Sequence, residues 1–220
     1  MAIDVYWGSG SVYSWRVLLA LEYKRLPYVS HVLQFSKQEQ KSPQILALNF
    51  RGRVPIVKDG DYVVFESLAV LYYLDLKYPQ PPIFGRSPEE AGVIMRVICE
   101  YQAYTEEHLM KLVRAFFFSS QPALQPDELA RSMHVVASEA RSIEARLARS
   151  DWVVGESFSA ADIVIYPALK VLLRALAKPA AQELSTRFLP LAANYPALER
   201  WSKRVEALPG YDRTFPPHWR

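Results

Sequence analysis

Apolar and polar positions follow two rhythms along this chain of 220 residues, and the change comes near residue 79. An apolar run, Ile3 to Trp7, predicts a strand over residues 2–7 and breaks into Gly8-Ser9-Gly10-Ser11. Residues 12–25 take a helical period, with Val17, Leu18, Leu21 and Leu26 on one side. Tyr28 to Leu33 alternates as a second strand. A short helix, Gln44 to Leu48, is entered through Ser42-Pro43, where a proline's missing N–H costs nothing. In RVPIVKDGDYVVFES, residues 53–67, two β-rich runs flank Asp59-Gly60, a strong hairpin signal. From Ser67 to Tyr78, Leu68, Leu71, Tyr72 and Leu76 recur at helical spacing. The order is β-α-β-α-β-β-α.

The stretch PQPPIFGRSP, residues 79–88, holds four prolines and reads as a semi-rigid linker. Beyond it only helical patterns recur. One long stretch covers 89–118. Residues 126–149 place Leu129, Met133, Val136, Ala140, Ile143 and Leu147 along one face. Further helices are expected over about 160–176, 181–193 and 196–208, followed by an irregular, aromatic-rich tail. The expectation is an α/β domain over 1–78, the linker, and an all-helical domain over 89–220.

Composition narrows the function. Half the residues are hydrophobic and 22% are charged, as in ordinary globular proteins. The net charge of +3 comes from scattered Lys and Arg, without a basic block, so nucleic acid is not an expected partner. No apolar run is long enough to span a membrane, and none has the form of a secretory leader. The single cysteine, Cys99, excludes an internal disulfide and suits a reducing, cytoplasmic setting. It reads as a small buried hydrophobe on its helix. The four histidines lack metal-ligand spacing, so no metal is expected.

Three places could carry chemistry. The Gly8–Ser11 junction puts hydroxyls at a helix N-terminus, where unpaired N–H groups and the dipole favour an anion. Val54-Pro55 opens a strand; a cis bond there would present the Val54 backbone to an extended peptide, although the frequency of X–Pro bonds favours trans. At Glu66-Ser67 the serine is a good N-cap, and the pair could also hold the carboxylate and ammonium of a ligand.

Taken in order, these pieces resemble a known family. Ser11-Val12-Tyr13-Ser14-Trp15-Arg16, the segment Lys41 to Asn49, Gly52-Arg53-Val54-Pro55 and Phe65-Glu66-Ser67 are similar to the glutathione-binding domain of cytosolic glutathione transferases, a thioredoxin-like fold. The serine-type classes (phi, tau, zeta and bacterial relatives) are nearest. In the second half, Gly155 to Asp162 resembles the family's capping-box segment, and Tyr195 to Trp201 its closing helix. Ser159 as N-cap and Asp162 three residues on form a capping box, with Phe158 and Ile163 at the staple positions; this is a folding signal.

The resemblance implies a detoxifying transferase, usually a homodimer, that joins glutathione thiolate to a small hydrophobic electrophile. Ser11 would donate a hydrogen bond to the sulfur, with Ser9, Tyr13 and Tyr6 as rivals. Lowering a thiol pKa of about 8.5 by about two units takes roughly 2.7 kcal/mol. A hydroxyl bonded to a charged sulfur supplies about 1.5–3 kcal/mol and the helix end about 0.3–1. Lys41 and Arg53 would face the glycine carboxylate, with Gln40 beside them. Val54 would pair with the cysteinyl unit, and Glu66 and Ser67 with the γ-glutamyl end. Candidates for the electrophile pocket are Trp7, Tyr13, Tyr104, His108 and the run Phe116-Phe117-Phe118. The absence of cysteine from the 8–11 turn argues against thiol-transferase chemistry. Two alternatives are a glutathione-dependent isomerase of the maleylacetoacetate type, from whose usual motif Ser11-Val12-Tyr13 departs, and a glutathione-binding module without turnover.

Overall fold

The structure is a computed structural model that describes residues 2–117 and 125–219. It divides into two compact units. One holds the residues up to Phe84 together with those from Leu208 onward; the other runs from Gly85 to Ala207.

The first unit has the expected element order: β1 (Ile3–Trp7), α1 (Val12–Tyr23), β2 (Tyr28–Val32), α2 (Pro43–Leu48), β3 (Ile56–Asp59), β4 (Tyr62–Phe65) and α3 (Ser67–Lys77). Single-turn 3-10 segments at Phe35–Lys37 and Glu39–Lys41 fill the loop before α2. The sheet order is β2-β1-β3-β4. β1 and β2 are parallel, joined through α1, whereas β3 runs antiparallel to both β1 and β4. Alternation along β1 buries Ile3, Val5 and Trp7 and leaves Asp4 and Tyr6 half-buried. The Asp59-Gly60 hairpin forms as expected, with Gly60 at φ 64°.

The described elements of the second unit are all helical: α4 (Pro88–Glu100), a π-turn (Tyr101–Thr105), α5 (Glu106–Phe117), α6 (Pro126–Leu147), α7 (Ala160–Leu176), a 3-10 turn (Pro179–Ala181), α8 (Gln182–Ser185), α9 (Leu191–Asn194) and α10 (Pro196–Glu206). The expected 89–118 helix is thus interrupted by a π-turn, and Phe118 lies outside the described residues. α7 is buried on nearly all sides and forms the centre of this unit. On α6, Met133, Val136, Ala140 and Leu147 are buried, on the face the sequence marks.

Four expectations need correction. The 181–193 helix is two short pieces instead, α8 and α9. Pro190 lacks an N–H and disfavours helical backbone at Leu189, so the chain turns after Ser185, whose carbonyl accepts from Phe188 and Leu189. Cys99 is exposed, because Ile94, Val97 and Ile98 take the inward side of α4. Val54-Pro55 is cis, against the general frequency.

The fourth correction concerns the tail, which has regular pieces, α11 (Tyr211–Thr214) and a 3-10 turn at Pro217–Trp219. It packs within the first unit. Trp15 Nε1 donates to Thr214 Oγ1 at 2.9 Å. Tyr211, Phe215 and Trp219 surround the Trp15 ring at 6.4, 5.8 and 5.4 Å between centroids. Arg213 forks onto the buried Glu22 carboxylate, which also accepts from Tyr28 Oη. Burying that carboxylate and an indole N–H requires these partners, and the tail supplies them.

Candidate functional site

Sheet topology gathers the candidate residues. Tyr6 on β1 pairs with Ile56 at the start of β3, and Ile56 pairs with Phe65 at the end of β4. Leu33, just past β2, donates to the Trp7 carbonyl at 2.7 Å. The turn after β1, the loop after β2, the Val54-Pro55 entry to β3 and the Glu66-Ser67 exit from β4 therefore share one end of the sheet.

The turn is built around two glycines. A Cβ at Gly8 would lie 2.1 Å from the Phe35 ring, so the backbone there must be bare. Gly10 has φ 84°, and the His218 imidazole lies over it, 3.0 Å from where a Cβ would be. The glycines thus admit Phe35 and His218. Ser11 is the N-cap of α1; its Oγ accepts from Ser14 N at 3.3 Å, and Ser14 Oγ accepts from Gly8 N at 3.4 Å. No acidic residue occupies the first turn of α1, so the positive end of the helix is left uncompensated there. Among the described residues nothing accepts the Ser11 hydroxyl proton.

The rivals of Ser11 are otherwise engaged. Ser9 Oγ lies 2.7 Å from His218 Nδ1. The Tyr13 ring lies against the Arg16 guanidinium, 4.8 Å away. Tyr6 stacks on His31 at 4.5 Å, on the side of β1 opposite Trp7. Burial and then the Asp4 carboxylate hold the Tyr6 phenol above its ordinary pKa.

The loops complete the arrangement. Gln40 and Lys41 lie against Gly52: a Cβ there would be 2.7 Å from the Gln40 carbonyl oxygen and 2.9 Å from Lys41 Nζ. Gln40 Oε1 is buried and has no hydrogen-bond partner among the described residues. Lys41 Nζ donates to the Arg51 carbonyl at 2.8 Å, and the Arg53 side chain is exposed. Asn49 shapes this loop. It is buried, donates to the Arg53 carbonyl at 2.9 Å and accepts from Arg51 N at 3.1 Å. Sequence reasoning passed over it; its signal was an Asn closing a helix before Arg-Gly-Arg, a residue able to bond the backbone of a turn.

At the β4 exit Glu66, not Ser67, is the N-cap of α3, with φ 70° in a region costly for a residue bearing a Cβ. Ser67 is the first helical residue, buried, and its Oγ accepts from Arg16 Nη1 at 3.4 Å. Arg16 is itself buried and ties α1 to the start of α3.

Comparison with known proteins bears on this arrangement. The glutathione S-transferase N-terminal domain model matches residues 10–77, and the C-terminal domain model matches residues 105–209. A solved glutathione S-transferase from the Antarctic clam Laternula elliptica superposes with a TM-score of 0.84 at 30% identity, covering 100% of this chain and 94% of that one. This chain belongs to the glutathione S-transferase family of enzymes. Glutathione S-transferase A of Pleuronectes platessa is 28% identical over 99% of the chain and 92% of its own length. Maleylacetoacetate isomerase of Pseudomonas aeruginosa is 28% identical over 91% of the chain and 94% of its own length. The thioredoxin-like first unit and helical second unit are those of glutathione S-transferases.

The remaining candidates in this glutathione S-transferase chain are differently placed. Trp7, expected in the electrophile pocket, is a core residue, because it falls on the buried side of β1; its Nε1 donates to Ser30 Oγ at 2.7 Å. Tyr13 is partly exposed on α1. In the helical unit Tyr104 is exposed on the π-turn, and His108, half-buried, lies 3.2 Å from Ser132 Oγ on α6. Phe116 and Phe117 are half-buried, with Lys178 Nζ 5.4 Å from the Phe117 ring.

Asp162 is wholly buried. It accepts from Val153 N, Ser159 N and Ser159 Oγ at 2.9 Å each and from Trp201 Nε1 at 2.8 Å. Burial pushes its carboxyl up to about 6, against these hydrogen bonds, which pull it down. Among the described residues no three His, Cys, Asp or Glu side chains come together to hold a metal, and no helix is long and apolar enough to cross a membrane.

Proposed function

We propose that this chain binds glutathione at the gathered end of the sheet and transfers its thiolate to a small hydrophobic electrophile. The observation that carries the reading is the open N-terminus of α1: a hydroxyl proton on Ser11 with no acceptor among the described residues, at the positive end of a helix without an acidic first turn. That is the donor a thiolate needs. The glycyl end of the tripeptide supplies an N–H for the orphaned Gln40 Oε1 and a carboxylate for Lys41 and Arg53. The γ-glutamyl end takes Glu66 and Ser67, and the cysteinyl backbone pairs with Val54. Tyr13, exposed two residues beyond Ser11, offers the electrophile an aromatic surface. We assign the activity to cytoplasmic detoxification by a homodimer; exposed Phe50, Tyr62, Tyr72 and Leu76 are apolar surface for a second copy. Light scattering that gave only the 25.2 kDa monomer would refute the dimer.

The test is the pH titration of the thiolate absorbance of bound glutathione. Wild type lowers the thiol pKa, and Ser11→Ala returns it toward the free value, with kcat/KM falling about 10- to 100-fold. A shift that survives the substitution removes Ser11 from the role. Isomerisation of maleylacetoacetate is the second reading, supported by the similarity to the Pseudomonas aeruginosa isomerase over 91% of this chain. Turnover of that substrate at a rate above conjugation would put it first.

A further inference from the structure

The tail places a histidine on the turn that presents Ser11. His218 Nδ1 lies 2.7 Å from Ser9 Oγ, and its Cε1 and Nε2 are 3.0 and 3.3 Å from the Cβ position of Gly10, the residue between Ser9 and Ser11. Among the described residues Nε2 has no hydrogen-bond partner. This placement is held by the tail's docking. Trp219 packs beside the imidazole and edge-on to Trp15, Thr214 caps the Trp15 indole, and Arg213 is anchored on Glu22. Gly10 has no side chain, which leaves room for the ring.

We propose that His218 is the base that takes the thiol proton of bound glutathione; this rests on the glutathione reading given above. In the tautomer that acts, Nδ1–H donates to Ser9 Oγ, Nε2 keeps its lone pair, and the ring is fixed over the turn. The S–H bond breaks, its electron pair stays on sulfur, and the proton passes to Nε2. The imidazolium then keeps that proton beside the thiolate that Ser11 holds, and this ion pair is what lowers the thiol's pKa. Ser9 is a positioning residue that acts through His218. An orienting partner, a base and an uncommitted hydroxyl donor are thus assembled within one turn.

Among the described residues, those against the ring offer no rival base. The groups against the ring are Ser9, Gly10 and the Trp219 indole. Of the titratable groups in the first two turns of α1, Arg16 is turned to Ser67 and Tyr13 lies on that guanidinium. Among the described residues of the tail the charged ones are Asp212 and Arg213, and Arg213 is paired with Glu22.

The test uses the full chain with His218→Asn, His218→Ala and Ser9→Ala. Asparagine keeps an N–H for Ser9 but cannot take a proton. The expected result for His218→Asn is a bound-thiol pKa about one unit higher, a tenfold change in the ionisation ratio. Affinity for S-methylglutathione, which has no thiol proton, stays within about two-fold, and thermal stability is unchanged. His218→Ala loses activity near neutral pH and recovers part of it in added imidazole. Ser9→Ala gives a smaller shift in the same direction. A bound-thiol pKa equal to wild type in His218→Asn, or no response of His218→Ala to imidazole, overturns the proposal. If Ser11→Ala moves the pKa while the His218 variants do not, only this inference falls. If wild type fails to bind S-methylglutathione, the glutathione reading falls as well.

Discussion

Ser11 and Ser159 hold the same position, the N-cap, at the start of α1 and α7, in opposite surroundings. Ser159 is buried and closed by its own sequence. Asp162 completes the capping box, and Trp201 and Val153 donate to the same carboxylate. Ser11 is half-exposed, has no acid in the following turn, and is backed by Gly8 and Gly10, which give it no side-chain cover. Both helix ends carry the same unpaired N–H groups and the same positive dipole. A helix end sealed by its own carboxylate is a folding device. One left open, with a hydroxyl to spare, can stabilise a foreign anion.

The largest expected effect lies at the closed end. Asp162→Ala strands donors on Val153, Ser159 and Trp201 in the core of the helical unit. Each orphaned donor costs about 1–3 kcal/mol, offset in part by relief from burying a charge, so the expected net loss is about 3–5 kcal/mol by urea unfolding. A loss no larger than that of an exposed cap would erase the contrast between the two ends.

The pH dependence sharpens it further. The Asp162 carboxyl keeps its proton in the native state up to about 6, against 3.8 unfolded. A native pKa raised in this way makes the group's contribution full below the unfolded value and weaker as pH rises through the native one. The stability advantage of wild type over Asp162→Asn should therefore shrink between about pH 4 and 6, by on the order of 3 kcal/mol, then level off. An advantage that grew over that range would mean that the four hydrogen bonds, and not burial, set the carboxyl's preference.

The smallest effect separates the two serines by stability alone. Ser159→Ala should cost about 1–2 kcal/mol and Ser11→Ala less than about 1, because the Ser11 bond to Ser14 N is long and partly exposed. The activity of Ser11→Ala should fall far more than its stability. Thermal unfolding beside kcat/KM reads both, and equal losses of stability at the two serines would contradict the assignment of one end to folding and the other to ligand.

The order of elements in the first unit was legible because each carries its own local signal, such as the Asp59-Gly60 hairpin or Pro43 at a helix start. The capping box was legible for the same reason: its partners are three residues apart. Where partners are remote the reading failed. Nothing local marks Trp7 as core or Cys99 as exposed, since each depends on which face its element turns inward. The 181–193 pattern is apolar enough for a helix, and Pro190 overrides it. The buried Asn49 and the orphaned Gln40 Oε1 are features of a folded loop, and no spacing announces them.

By itself the sequence determined the two-part plan and the β-α-β-α-β-β-α order of its first part. These follow from periodicity, turn chemistry and caps, which act over a few residues. Only the tertiary structure decided that the tail from Leu208 onward returns to the first unit, that Arg16 reaches Ser67, and that His218 sits on the turn of Ser9 and Gly10. Those contacts join residues 51 to 209 positions apart. The first two exist because a buried guanidinium, carboxylate and indole must each find a partner, wherever in the chain it lies, and the docked tail carries His218 onto the turn.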